Sequence, residues 1–243
     1  MVTRCEACPL RRRPLFTAMS DEEVRQTQRF KVGELTVEPG TPILTEGANS
    51  AQLFTVMSGM GLRYTTLENG RRQVLTFVFA GDLIGLQGAV MNEMSHTVEA
   101  RSRMRLCVFD RSALWDFFKH SPQRSYDLTW IAATEEHFMG EALTTVGQRT
   151  AEEAVAWAIV KLWLRAEGLS LITGASMPLP FKQQDLADAL GLSLVHTNKT
   201  LAKFRERQLA VWREGKLVVN DLHSLARIAM TDVEVPTATR PLM

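Results

Sequence analysis

The strongest constraint in this sequence is a pair of short helical patterns, within residues Gln183 to Gln208, that meet at a glycine. Small Ala187 stands four positions before Gly191, and Ser193 follows two positions after it. This spacing allows two helices to pack closely across a tight turn, and a serine at that point predicts the N-cap of the second helix. The segment therefore predicts a helix-turn-helix, whose second helix enters the major groove of DNA.

The second helical pattern has an apolar side and a polar side. Leu194, Thr197 and Leu201 recur at helical spacing and are expected to be buried. The opposite face supplies the candidate DNA contacts, which are Ser193, Val195, His196, Asn198, Lys199 and Lys203. Asparagine can bond adenine in a bidentate way, lysine can reach guanine acceptors, and valine can contact a thymine methyl. His196 and Lys203 are better placed for backbone phosphates. The alternative is an ordinary solvated helix face.

A hairpin pattern follows this helix. The runs Ala210-Val-Trp-Arg213 and Lys216-Leu-Val-Val219 flank the turn pair Glu214-Gly215, which suits the wing of a winged helix-turn-helix. The start of the first helix is less well specified, because Lys182 at the expected N-cap offers no acceptor to the free amides. We expect that helix to fray or to shift by a residue or two.

Residues 30–117 form a β-rich stretch. Short runs of Val, Leu, Phe and Thr alternate with turn signals at Pro39-Gly40, Gly47, Gly59, Asn69-Gly70, Gly81-Asp82 and Gly85. This pattern predicts a small sandwich or barrel. Asn69-Gly70 is the strongest hairpin signal, because both central residues of a tight two-residue turn need positive φ.

A helical pattern begins at Ser121-Pro122 and predicts a long helix that ends near Gly147. We expect its apolar stripe to form a coiled-coil-like dimer seam made of Leu128, Ile131, Phe138, Met139, Leu143 and Val146. The alternative is a helix that packs only on its own barrel. Thr150 and Glu153 form a capping-box pattern, which predicts a second helix that ends near Gly168.

Composition and charge exclude several classes of protein. With 243 residues, 45% of them hydrophobic and 23% charged, the chain can bury one large core or two ordinary ones. The formal net charge is only +1, so a surface that contacts DNA phosphates must be local. No run approaches the roughly 18 apolar residues of a membrane span, and we expect no membrane partner. The five histidines are scattered, and without a nucleophile set or a phosphate-cradling loop an enzyme is not expected.

Several stretches in the right order resemble the Crp/Fnr family of bacterial transcription regulators, from Cys5 to about Met230. They are Gly81-Asp-Leu-Ile-Gly85, Thr150-Ala-Glu-Glu153 and Gly191-Leu-Ser-Leu-Val-His-Thr-Asn-Lys199. The resemblance implies an α+β fold with a cyclic-nucleotide-binding-like β-barrel (a jelly roll), a long dimerisation helix and a C-terminal winged helix-turn-helix. It also implies a homodimer that binds a palindromic promoter site on double-stranded DNA and contacts RNA polymerase. Many members carry Glu and Arg where this sequence has Val195 and Lys199, so its base preference is expected to differ.

Cyclic nucleotide is the signal that this barrel suggests, and the sequence argues against it. Nucleotide-binding members have a Gly-Glu pair for the ribose and an Arg-Ser or Arg-Thr pair for the cyclic phosphate. Here Gly85 is followed by Leu86, and residues 92–98 contain no arginine. A buried phosphate charge without an arginine partner is costly, so we expect another signal.

The three cysteines suggest a different signal. Cys5 and Cys8 resemble the N-terminal C-x-x-C arm of the oxygen-sensing Fnr branch, and Cys107 corresponds to that branch's distal cysteine ligand. The resemblance implies an iron–sulfur cluster on these thiolates. The branch's further cysteine is missing from residues 11–16, so a cluster needs a non-cysteine fourth ligand, for example on a 4Fe–4S cluster, a vacant iron site, or a different cluster type. The alternatives are a thiol/disulfide or other metal switch, and inert cysteines with another effector.

The sequence thus predicts five segments. They are a cysteine-bearing arm and helix at 1–29, a sensor barrel at 30–117, a dimerisation helix with a connecting helix at 118–170, the winged helix-turn-helix at 171–231 and a disordered tail at 232–243. An odd number of cysteines without a secretory signal predicts a reducing cytoplasm. The leading hypothesis is a homodimeric transcription regulator controlled by oxygen or redox state. The alternative is a small-molecule-binding module whose helix-turn-helix serves only protein contacts.

Overall fold

The structure is a computed structural model that describes residues 2–233 and 239–243. The chain divides into two compact units. The first, here called the barrel unit, comprises Met1–Glu135 and Thr239–Met243, and the second, the winged unit, comprises Glu136–Ala238. The segment 118–170, expected from the sequence to be one piece, is therefore divided between the two units.

Eight strands build the sheets of the barrel unit. They are β1 (Lys31–Val37), β2 (Pro42–Leu44), β3 (Gln52–Ser58), β4 (Gly61–Thr66), β5 (Arg72–Val78), β6 (Leu83–Ile84), β7 (Thr97–Ala100) and β8 (Met104–Asp110). One sheet has the order β1-β8-β3-β6 and the other β2-β7-β4-β5, with antiparallel pairing throughout. An apolar core that includes Leu106, Phe54 and Val98 joins the two sheets. This is the jelly-roll barrel that the sequence predicted.

Four helices accompany these strands. They are α1 (Asp21–Phe30), α2 (Leu86–Met91), α3 (Leu114–His120) and α4 (Pro122–Gln148), with α4 beginning and ending as predicted. A second apolar core joins Cys107 and Phe109 of β8 to α1, α3 and the first turns of α4. Within it the ring of Phe30 stacks on Phe109 and on Phe117, with centroids 4.9 and 4.5 Å apart. The outer face of β8 is therefore buried at Cys107 and Phe109, although Arg105 on the same face is exposed.

The hairpin between β4 and β5 forms as predicted, but its turn is longer. The chain turns through residues 67–71, with a hydrogen bond from the Gly70 amide to the Leu67 carbonyl at 2.8 Å. Only Gly70 of the predicted pair has positive φ, at 79°. The connection is therefore a wider turn closed by one left-handed glycine, and the predicted two-residue geometry is wrong.

The described part of the winged unit contains four further helices and a small sheet. The helices are α5 (Ala151–Gly168), α6 (Gln183–Leu190), α7 (Leu194–Glu206) and α8 (Leu222–Ala229), and the strands are β9 (Ser176–Pro178), β10 (Ala210–Arg213) and β11 (Lys216–Val219). The capping box predicted for α5 is present: the Thr150 amide donates to Glu153 Oε2 at 2.7 Å, and the Glu153 amide to Thr150 Oγ1 at 3.4 Å. The sheet has the order β10-β11-β9, and β9 was not predicted. No helix in the described ranges has the length and apolar character that crossing a membrane requires.

The apolar stripe of α4 is not the single seam that the sequence suggested. Leu128 and Ile131 are buried in the core of the barrel unit, with only 3% and 2% of their surface exposed. Phe138 is half-buried. Only the last three members, Met139, Leu143 and Val146, are exposed. The expectation that Leu128 and Ile131 face a partner helix is therefore wrong, because their own barrel unit already covers them.

The tail expected to be disordered at 232–243 is ordered over its last five residues. Thr239–Met243 belongs to the barrel unit, and Leu242 and Met243 are each only 4% exposed. Residues 234–238 lie outside the described residues. Met243 belongs to the second core of the barrel unit, and burial of its side chain explains why a segment without periodicity is held in place.

Candidate functional site

The turn between α6 and α7 has the geometry that its sequence predicted. Gly191 ends α6 with φ 65°, and its amide donates to the Ala187 carbonyl. Ser193 caps α7, since its Oγ accepts the His196 amide at 3.2 Å. The first helix begins at Gln183 even without an N-cap acceptor, because Oδ2 of Asp185 accepts the Lys182 amide at 2.8 Å. The expected fraying or shift of this start is therefore not found.

The polar face of α7 is exposed at every candidate position. Exposed side chains are found at Ser193, Val195, His196, Asn198, Lys199 and Lys203. The buried side consists of Thr197, Thr200 and Phe204, so α7 is rotated slightly from the expected orientation. Leu194 is 38% exposed and Leu201 is half-buried, and their predicted burial is corrected accordingly. The set that faces solvent combines amide, ammonium and apolar groups, which are the groups that read base edges.

The wing adds two basic residues that sequence reasoning did not single out as contacts. The Glu214-Gly215 turn joins β10 to β11, and both residues have positive φ, at 51° and 71°. Arg213 and Lys216 flank this turn and are both exposed. Two cations on the tip of a hairpin suit contacts with backbone phosphates. Basic residues on either side of a two-residue turn were the signal that could have found them.

The three cysteines line one pocket of the barrel unit. Cys5 and Cys8 belong to two 3-10 turns, Cys5–Ala7 and the one that follows Cys8, while Cys107 lies on β8. The pocket is partly open to solvent and has a cavity volume of about 20 Å³, which is room for about one water molecule. Its wall also includes Arg11, Lys31, Met19, Met57, Leu242 and Met243. All three cysteines are free thiols. The predicted ligand set is thus brought together, although its members are up to about a hundred residues apart.

Hydrogen bonds hold the cysteine-bearing arm on α1 and β1. The Cys5 amide donates to Oε1 of Gln28 at 2.8 Å, and the Thr3 amide donates to Oε1 of Glu34 at 2.8 Å. Lys31 Nζ donates to the Thr3 carbonyl at 2.6 Å and to Glu34 Oε1 at 2.7 Å. The sequence did not identify Lys31, which is a buried cation in the wall of a thiol-lined pocket.

Burial and charge act in opposite directions on these thiols. Burial raises the pKa of Cys107 to about 12, although the Lys31 ammonium opposes the rise. Burial also raises the pKa of Cys5, against the positive charges of Lys31 and Arg11. Both groups are therefore neutral thiols at pH 7 in the metal-free protein. The same cations would stabilise an anionic group bound in the pocket, because metal ligation removes the thiol protons.

The pocket gathers three thiols, but its described residues do not form a binding site for a single metal ion. In the described part of the chain, no three His, Cys, Asp or Glu residues are grouped so as to hold one ion. A cluster is larger than an ion, so its thiolates must line a cavity instead of converging on a point. Soft thiolates suit iron–sulfur chemistry, and the cations Lys31 and Arg11 suit its negative charge. The residues that line the pocket include no Asp, Glu or His as a fourth ligand.

A jelly-roll barrel followed by a winged helix with an exposed reading face defines a DNA-binding regulator, and the comparisons with known proteins agree. Residues 34–121 match the cyclic nucleotide-binding domain, and residues 153–228 match the Crp-like helix-turn-helix domain. The chain belongs to the Crp/Fnr family of transcription regulators and is not an enzyme.

Individual relatives cover most of the chain at low identity. The nitrogen fixation regulation protein FixK of Rhizobium meliloti is 28% identical over 183 residues, which is 75% of this chain and 80% of that protein. The transcriptional activator protein FnrL of Cereibacter sphaeroides is 24% identical over 234 residues, 94% of this chain and 93% of that protein. The structure of FixK2 from Bradyrhizobium japonicum superimposes with a TM-score of 0.73 at 23% identity, covering 80% of this chain and 96% of that one. At this identity the likeness supports the fold.

Proposed function

We propose that this regulator is a homodimer that reads a specific DNA sequence and is switched by oxygen or redox state through an iron–sulfur cluster on Cys5, Cys8 and Cys107. The observation that carries the proposal is the single pocket that all three thiols line. The similarity to FnrL, together with the cysteine pattern of the Fnr branch, supports the assignment. A sensor that depends on free thiols needs a reducing compartment, so we also propose a cytoplasmic location.

The residues of the pocket have distinct roles in this proposal. The three thiolates would hold the cluster, and Lys31 and Arg11 would offset its negative charge. An iron–sulfur cluster supplies a redox-active centre that oxygen can alter. Cys107 belongs to the same apolar core as Leu128 and Ile131 of α4. A change in how Cys107 is held would therefore disturb the packing of the first turns of α4, because close-packed cores transmit small shifts.

The dimer seam that we propose is the exposed part of α4. Ala132, Met139, Leu143 and Val146 are exposed, and their spacing continues the alternation of three and four residues found in coiled coils. A two-fold pair of α4 helices would present two copies of α7. Such a pair matches a palindromic site whose halves lie about one helical turn apart.

Within each half-site we propose that Asn198, Lys199 and Val195 read bases, and that His196, Lys203 and Ser193 contact the backbone. The wing residues Arg213 and Lys216 join the second group. Valine at position 195 has no acceptor for a cytosine amino group, so the preferred operator differs from that of members with Glu at this position. Contact with RNA polymerase completes the proposed activity at a promoter.

Anaerobic reconstitution tests the signal. The protein, reconstituted with iron and sulfide without oxygen, is expected to be brown, to contain acid-labile sulfide and to lose its visible absorbance in air. The variants Cys5→Ser, Cys8→Ser and Cys107→Ser are expected to lose the cluster, whereas a variant of an exposed residue outside the pocket, such as Ser112→Ala, is expected to keep it. A colourless wild-type preparation would remove the cluster from the proposal.

A survey of genomic fragments tests the DNA function separately. We expect a preferred palindromic operator in footprinting under at least one of the oxic and anoxic conditions, with affinity that falls as salt rises. The absence of any preferred fragment under both conditions would contradict sequence-specific reading by α7.

A second candidate keeps the DNA function and changes the signal. Burial leaves Cys107 with a pKa of about 12, and a protonated thiol in an apolar core is the state of an inert structural cysteine. The signal would then be another small-molecule effector with structural cysteines. Normal DNA binding and regulation by a variant with all three cysteines replaced would favour this candidate.

A further inference from the structure

We propose that Thr239–Met243, which follows the DNA-reading elements in the chain, is a strap that closes the cysteine pocket and controls access to Cys107. The sequence did not predict this role, because its pattern indicated a disordered tail at these residues. Three sets of contacts carry the inference. They join the strap to the N-terminal arm, to the turn before β6 and to buried Arg124 of α4.

The first contact pairs the strap with the cysteine-bearing arm. The Arg240 amide donates to the Leu15 carbonyl at 2.8 Å, and the Thr17 amide donates to the Arg240 carbonyl at 2.9 Å. These bonds form a parallel bridge between Phe16 and Arg240. The arm is the segment that carries Cys5 and Cys8, so the strap restrains the arm between those cysteines and α1.

The second contact fastens this bridge to the barrel. Arg240 Nη1 lies 3.0 Å from Asp82 Oδ1, and both side chains are largely buried, at 11% and 13% exposure. The ring of Phe16 covers Gly81 so closely that a Cβ at position 81 would lie 2.1 Å from Cζ. The Gly81-Asp82 turn therefore anchors both the arm and the strap.

The third contact places the strap in the pocket itself. Leu242 and Met243 line the pocket beside Cys107, and each is 4% exposed. Buried Arg124 donates from Nη2 to the Leu242 carbonyl and from Nη1 to Asp127 Oδ2 at 2.7 Å. The strap thus supplies an apolar wall beside Cys107, which is only 8% exposed, and a side chain at the start of α4 holds that wall.

The contacts described above hold the strap against the barrel unit, but the hydrogen bonding of Arg240 is incomplete. Nε and Nη2 of Arg240 are buried and have no hydrogen-bond partner among the described residues. A guanidinium that uses so few of its donors is less stabilised than a fully paired one. Short segments with few partners open locally at low free-energy cost, while the rest of a unit stays folded.

The experiment measures access to the thiols in the full-length protein, reduced and free of metal. Iodoacetamide is added without oxygen, and mass spectrometry follows alkylation of the Cys107 peptide with time. Arg240→Ala is expected to raise the rate at Cys107 on the order of tenfold, because the strap opens more often. Arg240→Lys, which keeps the charge, is expected to restore a rate near that of the wild type. The matched control is Arg103→Ala, which removes an exposed arginine paired with Glu38 in the same unit and should change nothing.

A variant that lacks Thr239–Met243 gives a larger effect, and hydrogen exchange in β4 and β5 shows whether the barrel remains folded. Faster alkylation with unchanged exchange in those strands supports the strap. Equal Cys107 rates in the wild type, in Arg240→Ala and in the shortened variant would overturn it, as would an equal rise in Arg103→Ala. Because the experiment uses metal-free protein, its result does not depend on whether the protein binds a cluster. The proposal about the strap and the proposal about the cluster can therefore be contradicted independently.

Discussion

Phe138 of α4 stacks on Trp157 of α5, with ring centroids 5.9 Å apart and the ring planes at 22°. The contact uses an apolar position that the helical pattern assigns to the same stripe as Leu143. Nearby, Lys161 Nζ of α5 donates to Glu141 Oε1 of α4 at 2.8 Å. The winged unit therefore uses part of α4 for its own packing, and only the exposed positions remain for a partner.

Two substitutions on α4 should distinguish the buried part of this helix from the exposed part that we propose as the dimer seam. Ile131→Ala removes a side chain that is 2% exposed, and should destabilise the barrel unit by about 2–5 kcal/mol. Leu143→Glu changes a side chain that is 74% exposed, so protomer stability should change by no more than about 0.5 kcal/mol, while the dimer that we propose on this face should dissociate. Urea unfolding and sedimentation velocity measure the two effects. An intact dimer in Leu143→Glu would place the seam on another surface.

The exposed polar face of α7 gives a prediction that distinguishes base contacts from phosphate contacts. Alanine at Asn198 or Lys199 should cost about 1–3 kcal/mol at one base pair and relax specificity there. Lys203→Ala should weaken binding to all DNA sequences alike. It should also lower the slope of log affinity against log salt concentration by about one. A base-substitution scan at several salt concentrations distinguishes the outcomes. Identical profiles for all three variants would contradict the division into base and phosphate contacts.

Replacing Gly191 should reduce DNA affinity by more than the backbone strain of the substitution accounts for. Its φ of 65° disfavours any side chain, and Gly191→Ala should cost about 1 kcal/mol of stability. Gly174 has φ 61° and open space around it, so Gly174→Ala carries a similar strain outside the helix-turn-helix. We expect comparable losses in thermal unfolding but a loss of operator affinity only for Gly191→Ala. Equal affinities would show that the turn tolerates the change.

Stability of the barrel unit should fall in mild acid because of His96. Burial lowers the pKa of this side chain from 6.5 to about 4, and the charge of Arg63 adds to the effect. Between these values the unfolded chain binds the proton and the folded chain does not, so stability is full above pH 6.5 and declines toward pH 4. The total loss is on the order of 3 kcal/mol. His96→Gln should flatten the decline in urea unfolding measured against pH, whereas His120→Gln, at an exposed position of the same unit, should leave it. If stability still declines toward pH 4 in His96→Gln, other titratable groups cause the decline.

Local signals in the sequence determined the elements that depend on near neighbours. The capping box of Thr150 and Glu153, the left-handed Gly191 and the cap at Ser193 all involve residues within a few positions of one another. The exposed set on α7 followed from helical spacing, although the exact rotation did not, because Phe204 and Thr200 had to find their partners in the folded unit. Such short-range features need no knowledge of the remaining chain.

Only the tertiary structure decided which apolar surfaces remain free and what surrounds the cysteines. The stripe on α4 is continuous in sequence, yet Ile131 is covered by the barrel core and Leu143 is not. Lys31 and Met243 meet Cys5 and Cys107 in one pocket through contacts across most of the chain. Burial depends on which distant residues pack together, and a helical or apolar pattern states only that a side chain can be buried. The sequence therefore determined what each segment can form, and the packing between segments determined which of those surfaces are used.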